Sequence, residues 1–173
     1  IEDPGPNALR TTLDAGEIAR RLDWALRRFE GYVGISNHMG SRFTADAEAM
    51  TTVLESLHAL GLMFLDSRTT GRTRGRGIAL ALELPFLERD VFLDNELSVT
   101  AIGRQLDLAE SVARRQGHAV AIGHPHTVTL DVLERWLPQL SRRGLVLVPV
   151  AAIVARRLGS EQGLEGPLVH LDP

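Results

Sequence analysis

Four short polar clusters, each directly after an apolar run, recur along this chain at nearly constant spacing. They are Ser36-Asn37-His38-Met39-Gly40-Ser41, Asp66-Ser67-Arg68, Asp94-Asn95-Glu96 and Gly123-His124-Pro125-His126. His38, Asp66, Asp94 and His124 follow one another at steps of 28, 28 and 30 residues, each long enough for one strand and one helix. Few folds satisfy such a rhythm. A parallel α/β sheet or barrel sets the C-terminal ends of its strands side by side on one face, which is where such folds build their active sites. The clusters supply His, Asp, Asn, Ser and Arg, which can bind a metal, move protons and orient a polar substrate. The chain therefore reads as part of an enzyme.

The apolar runs and glycine stops fill in the elements between the clusters. Ile18, Leu22, Ala25, Leu26 and Phe29 recur at helical spacing from Glu17 to Phe29, after a loop at Ile1–Asn7. Tyr32–Ser36 is a short strand. Thr44 is a candidate N-cap for a helix carrying Met50, Val53, Leu54, Leu57 and Leu60, with Gly61 at its end. Leu62–Leu65 is a strand covered on both faces. The second half of 71–84 is a helix stopped before Pro85. Asp90–Leu93 is the third strand, and Ser98–Arg115 a helix. His118–Ile122 is the fourth strand, followed by a helix from Thr129 to Leu140. Leu145–Val148 is the fifth strand, followed by a short helix over Ala151–Arg157. Strand-helix alternation of this kind implies parallel βαβ units with right-handed crossovers. A closed barrel needs more strands than five, so the expectation is a domain over 1–157 that begins in the middle of its fold, with a tail over 158–173.

Composition narrows the chemistry. The chain contains no cysteine, which excludes thiolate zinc sites and cysteine nucleophiles. All 19 basic residues are arginine, so neither Schiff-base chemistry nor a P-loop lysine is available. A net charge of −3 gives no electrostatic footprint for nucleic acid. No apolar stretch approaches the roughly 20 residues needed to span a bilayer.

The sharpest cluster is Gly123-His124-Pro125-His126. A residue before proline is pushed to extended geometry, and two histidines at i and i+2 of an extended chain point to the same side. That suits two imidazoles sharing a metal, or one ligand beside one proton donor; a turn with one buried and one exposed histidine is the plainer alternative. Gly40 permits a tight turn that would let His38 and Ser41 face one pocket. Asp66 is a candidate ligand, base or orienter of a histidine, and Arg68 can bind a carboxylate or fix Asp66. Asp94-Asn95-Glu96 suits a turn or helix cap better than a site. His58 and His118 read as structural, and His170 as an unimportant tail residue.

The series Asn-His-Met-Gly-Ser-Arg-Phe-Thr (37–44), Phe-Leu-Asp-Ser-Arg-Thr-Thr (64–70), Arg-Asp-Val-Phe-Leu-Asp-Asn-Glu (89–96) and Ile-Gly-His-Pro-His (122–126) resembles the divergent polysaccharide deacetylase family. The resemblance implies a distorted (β/α)7-type barrel and a hydrolase that cleaves the carbon-nitrogen or ester bond of an acetylated sugar. It also implies a divalent metal, with zinc as the expected ion, and a bacterial periplasmic or cell-envelope location. Carried onto this sequence, it makes His38 and His124 metal ligands and Asp66 and His126 catalytic groups. Asn37, Ser41, Arg68, Asp94 and Asn95 become substrate-binding residues. The alternative is a non-catalytic carbohydrate- or peptidoglycan-binding protein on the same scaffold. Family members carry upstream strands with an Asp-Asp pair and a His-Leu-Pro-Met-type segment. Neither occurs here, so the expectation is a barrel without its first strands and a metal site that is incomplete in this chain.

Overall fold

The computed structural model describes residues 5–161, with side chains as far as Arg157; His170 and most of the expected tail lie outside that range. Five short strands alternate with seven α-helices among the described residues. In chain order they are α1 (Ala15–Leu26), β1 (Gly34–Ser36), α2 (Ser41–Thr44), α3 (Ala47–Ala59), β2 (Met63–Asp66) and α4 (Gly75–Ala81). Then come β3 (Phe86–Glu88), β4 (Val91–Phe92), α5 (Val99–Gln116), β5 (Ala121–Ile122), α6 (Thr127–Trp136) and α7 (Val150–Glu161). Among these residues no helix is long and apolar enough to cross a membrane.

All strand pairs are parallel. β2 lies between β1 and β3, with Ile35 opposite Phe64 and Leu65 opposite Leu87. β4 pairs with β5, Val91 opposite Ala121. The two sheets are joined through a single seven-residue stretch, 86–92. The Arg89 N–H still donates to the Asp66 carbonyl of β2 at 2.9 Å, while the Asp90 and Val91 N–H groups turn to the Val120 carbonyl at 2.8 and 3.1 Å. β3 and β4 are thus the two halves of one kinked strand, and the strand sequence across the fold is β1, β2, β3/β4, β5. Because every strand runs the same way, all four polar clusters emerge on one face.

Side chains alternate across the strands, and each face has its own cover. Phe64 packs outward with Ile18 and Leu22 of α1 and Met50, Val53, Leu54 and Leu57 of α3. Val91 and Leu93 pack with Ile102, Leu106 and Val112 of α5 and Val132 of α6. Met63, Leu87 and Val120 point to the opposite face, where Ile153 and Val154 of α7 cover them. Burying each of the large aliphatic side chains is worth about 1.5–3 kcal/mol, so the strands are held by helices on both sides rather than by their few ladder bonds.

The structure departs from the sequence reading in several places. The third strand begins at Phe86, so Pro85 precedes it and does not stand in a linker. α3 is capped by the Asp46 carboxylate, which accepts from the Ala49 N–H, and not by Thr44, which is buried at the end of α2. α6 starts at Thr127, with His126 in the cap position, so Thr129 lies inside the helix. Leu145–Val148 forms no strand: no ladder partner lies beside it among the described residues, and Val146 and Leu147 are exposed. A cleft of about 1960 Å³ opens between this segment and β5 and extends to His124. α7 continues past Arg157 into the stretch expected to be tail.

β1 and β2 approach so closely that a methyl group does not fit between them. A Cβ built on Gly34 would sit 2.5 Å from the Met63 carbonyl oxygen, whereas one on Gly77 in α4 meets nothing within 4 Å. Gly34→Ala is expected to cost about 2 kcal/mol or more. Gly77→Ala is expected to gain about 0.5–1 kcal/mol, since alanine restricts the unfolded chain and favours helix. Urea denaturation of the two variants beside the parent chain checks both signs.

Candidate functional site

The site is built around a buried carboxylate. Asp94 follows β4, and its side chain is fully enclosed. Its Oδ2 accepts from the His124 N–H at 2.5 Å and from the Thr129 hydroxyl at 3.1 Å, and its Oδ1 lies 3.1 Å from His124 Nδ1. Burial pushes the Asp94 carboxyl up, but the hydrogen bonds from His124 and Thr129 together outweigh it and hold the group below the ordinary aspartate value. The carboxylate is therefore ionised near neutral pH and can only accept. That places the proton of His124 on Nδ1 and leaves Nε2 with its lone pair. Gly123 allows this approach, because a Cβ there would stand 3.3 Å from Asp94 Oδ2 and from Leu93.

His124, which faces this carboxylate, lies in a group of three histidines. The His124 ring is 5.8 Å from that of His126 and 6.0 Å from that of His38, and Phe92 stands edge-on to it at 5.4 Å. One ligand atom from each of Asp94, His124 and His126 can be chosen such that all three lie within 4.8 Å of one another. Two imidazole nitrogens and a carboxylate oxygen form a donor set that a borderline-soft divalent ion such as zinc accepts. Three hydrogen bonds occupy Asp94 in the metal-free protein, and an ion would take the place of the proton between its Oδ1 and His124 Nδ1. The residues present fit a metal. The structure groups His124 with Asp94 and His126, where the sequence paired it with His38 as ligands and gave Asp94 to substrate. His38 stands beside the group, exposed.

The other expected site residues have different surroundings. Asn37 clasps two loops together: its Oδ1 accepts from the Ser67 N–H at 2.8 Å, its Nδ2 donates to the Met39 carbonyl at 3.0 Å, and the Ser67 hydroxyl donates to its carbonyl. Ser41 donates to the Thr69 carbonyl at 3.0 Å across the same gap. Their polar atoms hold the face in shape. Asp66 is completely buried; its Oδ1 accepts from the Arg68 N–H at 2.7 Å and its Oδ2 from the Thr73 hydroxyl at 2.5 Å. These two bonds tie the carboxylate to the loop after β2. Arg68 adopts a left-handed backbone, φ 49°, and its side chain is partly exposed. Asn95 is exposed on the turn after Asp94.

Sequence reading missed Thr129, Thr73 and Arg89. The first two were legible only as helix-cap or loop threonines, because nothing local shows that a carboxylate 35 or 7 residues away needs their hydroxyls. Arg89 donates from Nε to the Ser67 carbonyl at 2.6 Å and from Nη2 to the Arg68 carbonyl at 2.9 Å. Its one signal was its place within the Arg-Asp-Val-Phe motif.

A parallel α/β scaffold with His and Asp gathered at its strand ends is the arrangement of polysaccharide deacetylase-type proteins. The sequence model of the divergent polysaccharide deacetylase family matches residues 1–154, and the chain belongs to that family. It is 37% identical over 134 residues to YibQ of Escherichia coli strain K12, covering 78% of this chain and 42% of that one. A protein of Haemophilus influenzae Rd is 37% identical over 140 residues, covering 81% and 49%. The chain thus spans less than half the length of these curated relatives. The crystal structure of ATU2773 from Agrobacterium tumefaciens C58 superposes with a TM-score of 0.85 at 31% identity, covering 87% of this chain and 61% of that one. The names of these relatives state no activity.

The depressed Asp94 pKa fixes the sign of a pH effect. A carboxyl whose folded value lies below 3.8 contributes stability that is fully present above the unfolded value and is lost as pH falls through the folded one. In metal-free protein, Asp94→Asn is expected to cost about 2 kcal/mol near neutral pH. The cost should shrink below about pH 4, where the parent carboxylate also protonates. Thr129→Val should show a smaller loss with the same pH dependence. Denaturant titrations across that range measure both.

Proposed function

We propose that the chain carries the reactive face of a metal-dependent hydrolase that removes acetyl groups from a carbohydrate of the bacterial cell envelope. The observation that carries this reading is the convergence of the Asp94, His124 and His126 donor atoms within 4.8 Å at the strand ends, in a chain of the deacetylase family. Asp94, His124 and His126 would hold the ion. When bound, such an ion polarises a carbonyl and lowers the pKa of water.

The chain's own side chains divide the remaining work. In the metal-free protein Asp94 fixes the tautomer and tilt of His124. His38, exposed and one ring away from His124, is the imidazole left to give a proton to the departing amine or alkoxide as the acyl bond breaks. Asn37, Ser41 and Ser67 hold the loop bearing His38 against the loop bearing Arg68, so the face is organised before substrate arrives.

Asp66 favours a second reading, a carbohydrate-binding protein without turnover. The carboxylate expected to act as base accepts from the Arg68 N–H and the Thr73 hydroxyl and has no exposed surface. The discriminating experiment is metal analysis, with acetate release from acetylated cell-wall glycan, on a chain of the relatives' full length purified without chelator. About one zinc or similar ion per chain, sharply reduced in His124→Ala together with acetate release, is the expected result. A metal-free protein that binds glycan saturably but releases no acetate would establish the second reading instead.

A further inference from the structure

Beside the histidine group, and separate from it, the strand ends form a small polar pocket. It has a volume of about 230 Å³ and is lined by Arg68, Thr70, Gly71, Arg89 and Asp90. Two guanidinium groups meet there, with Asp90 in the wall and Glu88 and Asp66 nearby. Arg68 makes no side-chain hydrogen bond among the described residues. Its ion-pair contact is with Glu88 at 4.0 Å, and that carboxylate is already held at short range by Arg76. Arg89 spends Nε and Nη2 on the Ser67 and Arg68 carbonyls, and Nη1 carries no hydrogen bond among the described residues. Burial, and then the neighbouring Arg68 charge, push the Arg89 guanidinium below its ordinary value, although Asp66 acts the other way. Two cations brought together in this way are stabilised by an anion placed between them.

The backbone is shaped to the same end. Arg68 holds a left-handed conformation that a long side chain rarely adopts, kept there by its N–H bond to Asp66 and by Arg89 at its carbonyl. Asp90 also lines the pocket, but its Oδ2 accepts from the Val120 N–H at 2.7 Å. With Asp90 and Glu88 on the flanks, a doubly charged phosphate meets more repulsion than a singly charged carboxylate, and the planar fork of arginine matches the carboxylate in geometry. The pocket adjoins the histidines: Arg89 lies over the Phe92 ring at 5.0 Å, and Phe92 is edge-on to His124.

Building on the deacetylase reading above, we propose that Arg68 and Arg89 form a carboxylate subsite, so that the sugar chain this protein acts on carries an acidic sugar next to the acetylated one. Thr70 and Gly71 supply the small polar wall that such a sugar rests against.

The test is a calorimetric titration of metal-stripped protein with D-glucuronate, D-glucose and glucose 6-phosphate. The expected result is saturable glucuronate binding, weaker by about tenfold or more in Arg68→Asn, the size of one lost bidentate contact. Asparagine tolerates the left-handed backbone, so the variant removes the fork without adding strain. Arg68→Lys, which keeps the charge but not the fork, should fall in between. Arg104→Asn, an exposed arginine on α5, should bind like the parent. Unchanged glucuronate affinity in Arg68→Asn, or binding of glucose as tight as glucuronate, would overturn the subsite; tighter binding of glucose 6-phosphate would overturn its assignment to a carboxylate. Acetate release plays no part in this titration. Glucuronate binding lost with Arg68 in a protein that never releases acetate leaves the subsite standing while the hydrolase reading falls, and acetate release with no glucuronate binding does the reverse.

Discussion

A carboxylate removed from water must find donors, and two such groups organise this molecule. Asp66 and Asp94 stand at the ends of neighbouring strands, both with side chains out of solvent, and each gathers backbone and hydroxyl donors from distant residues. Leaving a buried acceptor unpaired costs about 1–3 kcal/mol, and more when it is charged. The loop after β2 and the turn between β5 and α6 therefore have little freedom: they must present the Arg68 and His124 N–H groups where the carboxylates lie. The polar face is shaped by these two obligations, with hydrophobic packing supplying the frame that keeps the strands in place.

The two carboxylates then diverge in use. Asp66 is closed by Arg68 and Thr73, and a Cβ on Gly75 would sit only 2.8 Å from its Oδ2, so it acts inward, on the fold. Asp94 keeps one side toward the imidazoles of His124 and His126. The same residue type after the same kind of strand thus becomes a loop anchor in one place and a candidate ligand in the other. Asp94 faces the histidine that β5 delivers, whereas Asp66 is closed by donors from its own loop.

The spacing of the clusters and the apolar runs made the parallel α/β frame and its polar face legible in the sequence, because strand-helix units of similar length align their ends. The helices were legible in the periodicity of Leu54, Leu57, Ile102 and Leu106. The kinked third strand was not, because Pro85 reads as a stop and the pairing that makes Phe86–Glu88 a strand comes from β2. Leu145–Val148 fails for the opposite reason: its composition suits a strand, yet a strand exists only where another backbone receives its bonds. Within the site, residue types pointed to His38, Asp66, Asp94, His124 and His126, but their division into ligand, anchor and neighbour depends on contacts between residues far apart in the chain, such as Asp94 with His124 and His38 with His124. Thr129 and Arg89 act only through such contacts, so no local pattern could identify them.

The kinked strand has a mechanical consequence. Arg89 lies at its bend and Asp94 just beyond its end, on one continuous backbone clamped by β2 on one side and β5 on the other. At about 3.3 Å of rise per residue, that short stretch fixes the separation between the arginine pocket and the histidine group as rigidly as marks on a ruler. Neither end can drift without breaking a ladder. A ligand long enough to touch both would be measured by the strand, so the chain would select by the interval between two groups on its ligand as well as by their chemical identity.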